Sequence, residues 1–240
     1  MHHFLAEVHL MPTTVWPTIR SHVVRATKLD SCAAPVVGQK STLVTGGHIS
    51  VKLSPQYEDG EETNQKAASG KLRVVDKADD QLKYFNFEAV FAEVNPDLFN
   101  LLTGQPIVLD YLGNAVGIRI GETINANAAI ETWTDVPNTA CGPNGKSYGY
   151  FLMPWMTGGR LGDFSFENAL ATFTITGRTS SDAQWGVGPY DVVSQAPVAP
   201  STTALPGPLL VPIASDQHVH FEPTTVAPPT ETAGAIPLAA

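Results

Sequence analysis

Residues 84–110 read YFNFEAVFAEVNPDLFNLLTGQPIVLD, a run that predicts a strand, a short capped helix and a returning strand. Phe85, Phe87, Ala89 and Phe91 alternate with Tyr84, Asn86, Glu88 and Val90, the period-two pattern of a sheet with one buried side. Asn95 has the side chain of a helix N-cap, Pro96 suits the first helical position, and Asp97 favours the positive helix end. Val94 before the cap and Phe99 in the first turn are spaced as a hydrophobic staple. Leu98, Leu101 and Leu102 form an apolar stripe, and Gly104 ends the helix. A two-turn helix has no stability of its own in water. Val94, Leu98, Phe99, Leu101 and Leu102 are therefore expected to dock it on a sheet.

The chain's 240 residues suffice for one large all-β domain or two small ones. Charged residues make up only 15%, while Gly (20) and Pro (19) are plentiful. This balance predicts short strands and much surface covered by neighbours. No apolar run approaches the length of a membrane span, so none is expected, and the N-terminal residues lack the order of a secretory signal. The net charge of −9 is unevenly distributed. Arg178 is the last basic residue, and Asp182, Asp191, Asp216, Glu222 and Glu231 follow with no compensating cation. No basic cluster is visible, so tight nucleic-acid binding is not expected, and any contact would be non-adhesive. Cys32 and Cys141, far apart in the chain, read as reduced packing residues rather than a disulfide.

Working outward, HISVKLSPQY (48–57) alternates His48, Ser50 and Lys52 against Ile49, Val51 and Leu53, and KLRVVDK (71–77) is its expected partner. Between them, YEDGEETNQKAASG (57–70) is acidic at its start and reads either as a solvated hairpin loop or as a partner contact. Upstream, Trp16, Ile19 and HVVRATKL (22–29) suggest one or two strands broken by prolines. Downstream, Ile107–Leu112 and Val116–Ile120 form a hairpin around Gly113-Asn114, and Ile124 to Trp133 alternates. SYGYFLMPWM (147–156) is a strand whose Pro154 marks an edge or a bulge. Residues 162–179 supply one or two more strands, and WGVGPY (185–190) closes the ordered body. Beyond Gln195 lie nine of the prolines and no clear period, a disordered or polyproline-like composition on its own. The chain thus divides into 1–195 and a 196–240 extension. That extension is either a strap on the body or on a neighbouring copy, or a small added domain built on LLVPIA and HVHFEP.

The residues carry little that resembles catalytic machinery. His218, His220 and Glu222 have a spacing that can chelate zinc, but the remaining histidines offer no second motif to complete a site. Thr157–Gly162, TGGRLG, has neither a preceding dinucleotide-binding strand nor its later acid, and reads as a turn. No phosphate-cradling loop and no nucleophile elbow is present. A non-catalytic protein without metal or cofactor is expected.

Three segments, FNFEAVFAEVNPDLFNLLTGQP (85–106), GYFLMPWMTGGRLGDFSFENALATFTITGRT (149–179) and QWGVGPYDV (184–192), together resemble the major tail (tail tube) proteins of long-tailed siphophages, particularly those of actinobacterial hosts. The resemblance spans roughly residues 46–193. It implies a mainly-β fold, a β-sandwich or barrel flanked by one α-helix at about Asn95–Thr103. It further implies hexameric rings stacked into a virion tube, with other tail proteins at its ends and double-stranded DNA passing through without sticking. The loop residues Tyr57, Glu58, Asp59, Glu61, Glu62, Asn64 and Lys66 would then contact an adjacent ring. Trp185, Val187, Pro189 and Tyr190 would pack between subunits. An acidic lumen would repel phosphates, and Glu88, Asp110, Glu122 and Glu131 are its candidate strand acids. The alternatives are another phage ring protein, such as a tail terminator, baseplate or capsid decoration protein, and a carbohydrate-binding β-sandwich module.

Overall fold

The computed structural model describes residues 15–122, 124–137, 146–164, 172–197 and 204–239. In chain order the elements are β1 (Ile19–Lys28), β2 (Gly38–Thr45), β3 (His48–Glu58), β4 (Glu62–Lys66), β5 (Leu72–Lys77), β6 (Gln81–Phe91) and α1 (Pro96–Thr103). They continue with β7 (Ile107–Leu109), β8 (Ala115–Ile118), β9 (Asn127–Asp135), β10 (Tyr148–Leu161) and β11 (Phe173–Thr179). The last four are β12 (Val193–Gln195), β13 (Leu205–Gly207), β14 (His220–Thr224) and β15 (Ile236–Leu238). Nine strands form one antiparallel sheet in the order β15-β2-β1-β9-β10-β11-β6-β3, with β14 added beside β10. The pairs β4–β5, β7–β8 and β12–β13 are separate ribbons. The fold is mainly β and sandwich-like.

The sheet folds over on itself along β10. Val24, Ala26, Leu43, Ala128 and Ile130 from one half share a core with Phe87, Ala89, Phe91 and Ile175 from the other. His48 Nε2 lies 2.6 Å from Ser21 Oγ, which brings the start of β3 back beside β1. Helix α1 fills the remaining gap. The Asn95 side chain accepts the Leu98 N–H at 3.2 Å, and Gly104, at φ +72°, donates to the Asn100 carbonyl at 2.8 Å. Leu98, Phe99, Leu101 and Leu102 are all buried in this core. Val94 is not: the bend at Ala92 and Glu93 leaves it 47% exposed, so the staple with Phe99 does not form a buried contact.

The TGGRLG segment, expected to turn, instead lies mostly within β10. Its Gly159 has no room for a side chain, because a Cβ there would sit 1.8 Å from the Leu102 carbonyl oxygen of α1. The glycine therefore marks helix-on-strand contact rather than a reversal. Pro154 falls at a pairing irregularity between Met153 and Met156, so it marks a bulge, and its strand is central rather than an edge.

A second core lies on the opposite face of β1, β2, β9 and β10. Val23, Val44, Ala129, Trp133, Tyr150 and Leu152 meet Trp185, Val192, Val193, Leu209 and Ile213 there. Alternate residues of β9 thus enter different cores, which is why both its faces are buried. The compositional break at Gln195 falls inside the β12–β13 ribbon. β14 then pairs with Tyr148–Leu152, and β15 forms the sheet's far edge on β2. The Pro-rich C-terminal segment is laid across the body of its own chain.

Candidate functional site

Three features outside the cores have functional character: a projecting arm, a sheet edge and an uncovered polar face. The arm comes first. Residues 57–70 are not a loop. β3 continues past an irregular stretch at Asp59–Glu61 into β4, which pairs with β5 from Glu62↔Lys77 to Lys66↔Leu72, and β5 leads back into β6. KLRVVDK therefore pairs with β4, while the partner of β3 is β6. Polar residues can hold this hairpin because backbone pairing, not side-chain burial, builds it. Tyr57, Glu58, Asp59, Glu61, Glu62, Asn64 and Lys66 are all exposed, as are Leu72, Val75 and Leu82. Glu58 pairs with Lys83, and Asp80 accepts both the Gly60 N–H and Lys77, so the arm's root is tied by its own charges. The edge follows from the arm, because β3 ends the sheet and its outer backbone groups have no partner strand among the described residues.

The third feature is the outward side of β3, β6, β11 and the second half of β10. Pairing registers place Lys52, Glu88, Thr176 and Arg160 in one row across these four strands, and Ser54, Asn86 and Arg178 in the next. They line a shallow concavity of about 570 Å³. Arg178 stands 5.7 Å from the centre of the Tyr84 ring. Among the described residues, Lys52, Arg160 and Arg178 make no ion pair. A basic patch therefore exists that no stretch of sequence displays, because its members come from positions 52, 160 and 178.

The four candidate lumen acids do not share a surface. Glu88 is exposed on β6, but its neighbours are cations. Asp110 is in the β7–β8 turn rather than a strand, where Asn114 and the Leu112 N–H hold its carboxyl below the usual range. Glu122 is exposed at a bend after β8, with its carbonyl accepting from Gln105 Nε2 at 2.9 Å. Glu131 is 0% exposed and faces no open channel. Arg25 grips it with Nε at 2.6 Å and Nη2 at 2.5 Å, and the Tyr150 hydroxyl donates to it at 2.8 Å. Burial works against the charge on Arg25, yet its pKa is raised by Glu131; burial and then Glu131 push Tyr150 well up.

The WGVGPY residues also divide. Trp185 is buried in the second core, and Tyr190 lays its ring 3.4 Å from the Arg25 guanidinium while bonding Thr27 and Thr42. Both pack within their own subunit, Trp185 in the second core and Tyr190 as an aromatic lid on the buried ion pair. Val187 (40%) and Pro189 remain exposed.

His218 is held by Thr179 at 3.0 Å, while His220 lies 3.4 Å from Glu222, so the three zinc-spaced residues do not converge. No group of three metal-ligating side chains gathers among the described residues. Cys32 is exposed in the Asp30–Ala34 turn rather than packed, and Cys141 lies outside the described residues. Among the described residues no helix is long and apolar enough to cross a membrane. In comparisons with known proteins, no family model and no curated protein matches the chain.

Proposed function

We propose that this protein is the structural subunit of a phage tail tube, in which rings of six copies stack into a virion conduit for DNA. The observation that carries this reading is the β4–β5 arm. A ribbon exposed at Glu62–Lys66, Leu72, Arg73 and Val75–Lys77 has little core to stabilise it in the isolated subunit. Its projecting length and exposed Tyr57, Leu72, Val75 and Leu82 suit burial against another copy. The free edge of β3 supports the same reading, since an unpaired edge invites strand addition and ring closure satisfies it. The role is structural, without catalysis or cofactor, and the partners are further copies of the chain and the proteins that end the tube.

Negative-stain electron microscopy of the purified protein tests this directly. Long hollow tubes are expected. Isolated rings would point to a terminator or baseplate role, and a persistent monomer in light scattering would remove the assembly reading altogether.

A further inference from the structure

The uncovered face of β3, β6, β11 and β10 has a composition at odds with the rest of the chain. Three cations, Lys52, Arg160 and Arg178, which make no ion pair among the described residues, stand around one carboxylate, Glu88, in a protein of net charge −9. We propose that this face is a weak contact surface for the phosphate backbone of double-stranded DNA, with Glu88 as the group that keeps the contact loose. Its place in the conduit rests on the tube reading above, whereas the contact itself is measurable without it.

Three properties favour duplex backbone over other occupants. Lys52 and Arg160 are three strands apart, roughly 14 Å at the spacing of strands in a sheet. That is too wide to converge on one phosphate but suited to several on a duplex, which carries about one charge per 1.7 Å of axis. The lining is polar, with Ser54, Asn86 and Thr176 between the charges, and lacks the apolar centre of a packed protein interface. Tyr84 is half-buried beneath Arg178, so no bare ring is offered for the stacking that binds single strands. Glu88 lies directly opposite Lys52 and diagonal to Arg178. It offsets part of the attraction and repels phosphate itself, the balance needed by a wall that touches DNA and lets it slide.

The test is fluorescence anisotropy of a short labelled duplex with the full-length protein, at subunit concentrations below assembly and across a salt series. Binding should be weak and salt-sensitive, with a log–log slope no steeper than about −2.7 for three phosphate contacts. Replacing Lys52, Arg160 or Arg178 by Gln should each weaken binding and flatten the slope by about one unit. Glu88→Gln should tighten it. No duplex binding at low salt, or undiminished binding by the folded triple variant K52Q/R160Q/R178Q, overturns the proposal. A triple variant with an unchanged melting curve that no longer forms rings or tubes also overturns it, and makes the face a contact between copies. Tubes without duplex binding sink this proposal alone. Duplex binding through these residues by a protein that never assembles sinks the tube reading alone.

Discussion

Arg25 and Glu131 show how much one buried pair constrains its surroundings. Two charges taken out of water are tolerable only when each satisfies the other, and here Tyr150, Trp133 and Tyr190 complete the enclosure. Removing one partner strands the other. Arg25→Ala should therefore cost about 3–5 kcal/mol in urea unfolding, whereas the double variant R25M/E131L should recover most of that loss. A histidine pair gives a pH prediction. Burial lowers the pKa of His48, with Glu231 opposing, and likewise of His218, with Asp216 opposing. The unfolded chain, titrating near pH 6.5, therefore binds more protons than the folded one just below that value. Stability is complete above about pH 6.5 and declines as pH falls toward the lower folded values. The urea midpoint should drop between pH 7 and pH 5, and His218→Gln should reduce that drop. A flat midpoint over this range would contradict the assignment. Neither histidine's burial was visible in the sequence, where both look like polar strand residues.

At the scale of elements, α1 is the most locally encoded part of the molecule. Its cap, its stripe and its terminating glycine all lie within ten residues, and each side chain does in the structure what its type dictates. Asn95→Ala should cost about 1 kcal/mol. Leu101→Asp should prevent folding, because the charge would enter the first core without a partner. Gly159→Ala tests the helix-on-strand contact and should cost about 1–3 kcal/mol by overpacking. A melting temperature equal to wild type for Leu101→Asp would show that α1 does not dock as described. The arm behaves differently. Polar composition made residues 57–70 look like loop, because periodicity reports side-chain burial and β4 buries no side chain. Excising 60–79 and closing β3 to β6 with a short turn should leave the melting temperature nearly unchanged while abolishing tubes. Tube formation by that variant would remove the arm from the assembly.

For the molecule as a whole, the C-terminal segment is the test of domain organisation. Its prolines and lost periodicity suggest an appendage, yet it supplies Leu209, Ile213, β14 and β15 to the body. Truncation after Gln195 should expose Trp133, Tyr150 and the Arg25–Glu131 pair, and should give insoluble protein rather than a smaller soluble subunit. A soluble, cooperatively melting 1–195 fragment would show the segment to be dispensable. What the sequence by itself determined is local: the strand phase of Phe85 to Phe91, the capped helix and the mainly-β class. Backbone geometry and neighbouring side chains decide these within a few residues. What only the tertiary structure decided is which surfaces meet. Strand pairing carried Glu131 inward, turned a polar loop into an arm, and brought Lys52, Arg160 and Arg178 onto one face, while packing of the 184–187 turn buried Trp185. Burial and charge depend on residues distant in the chain, and no period in the sequence reports which of them become neighbours.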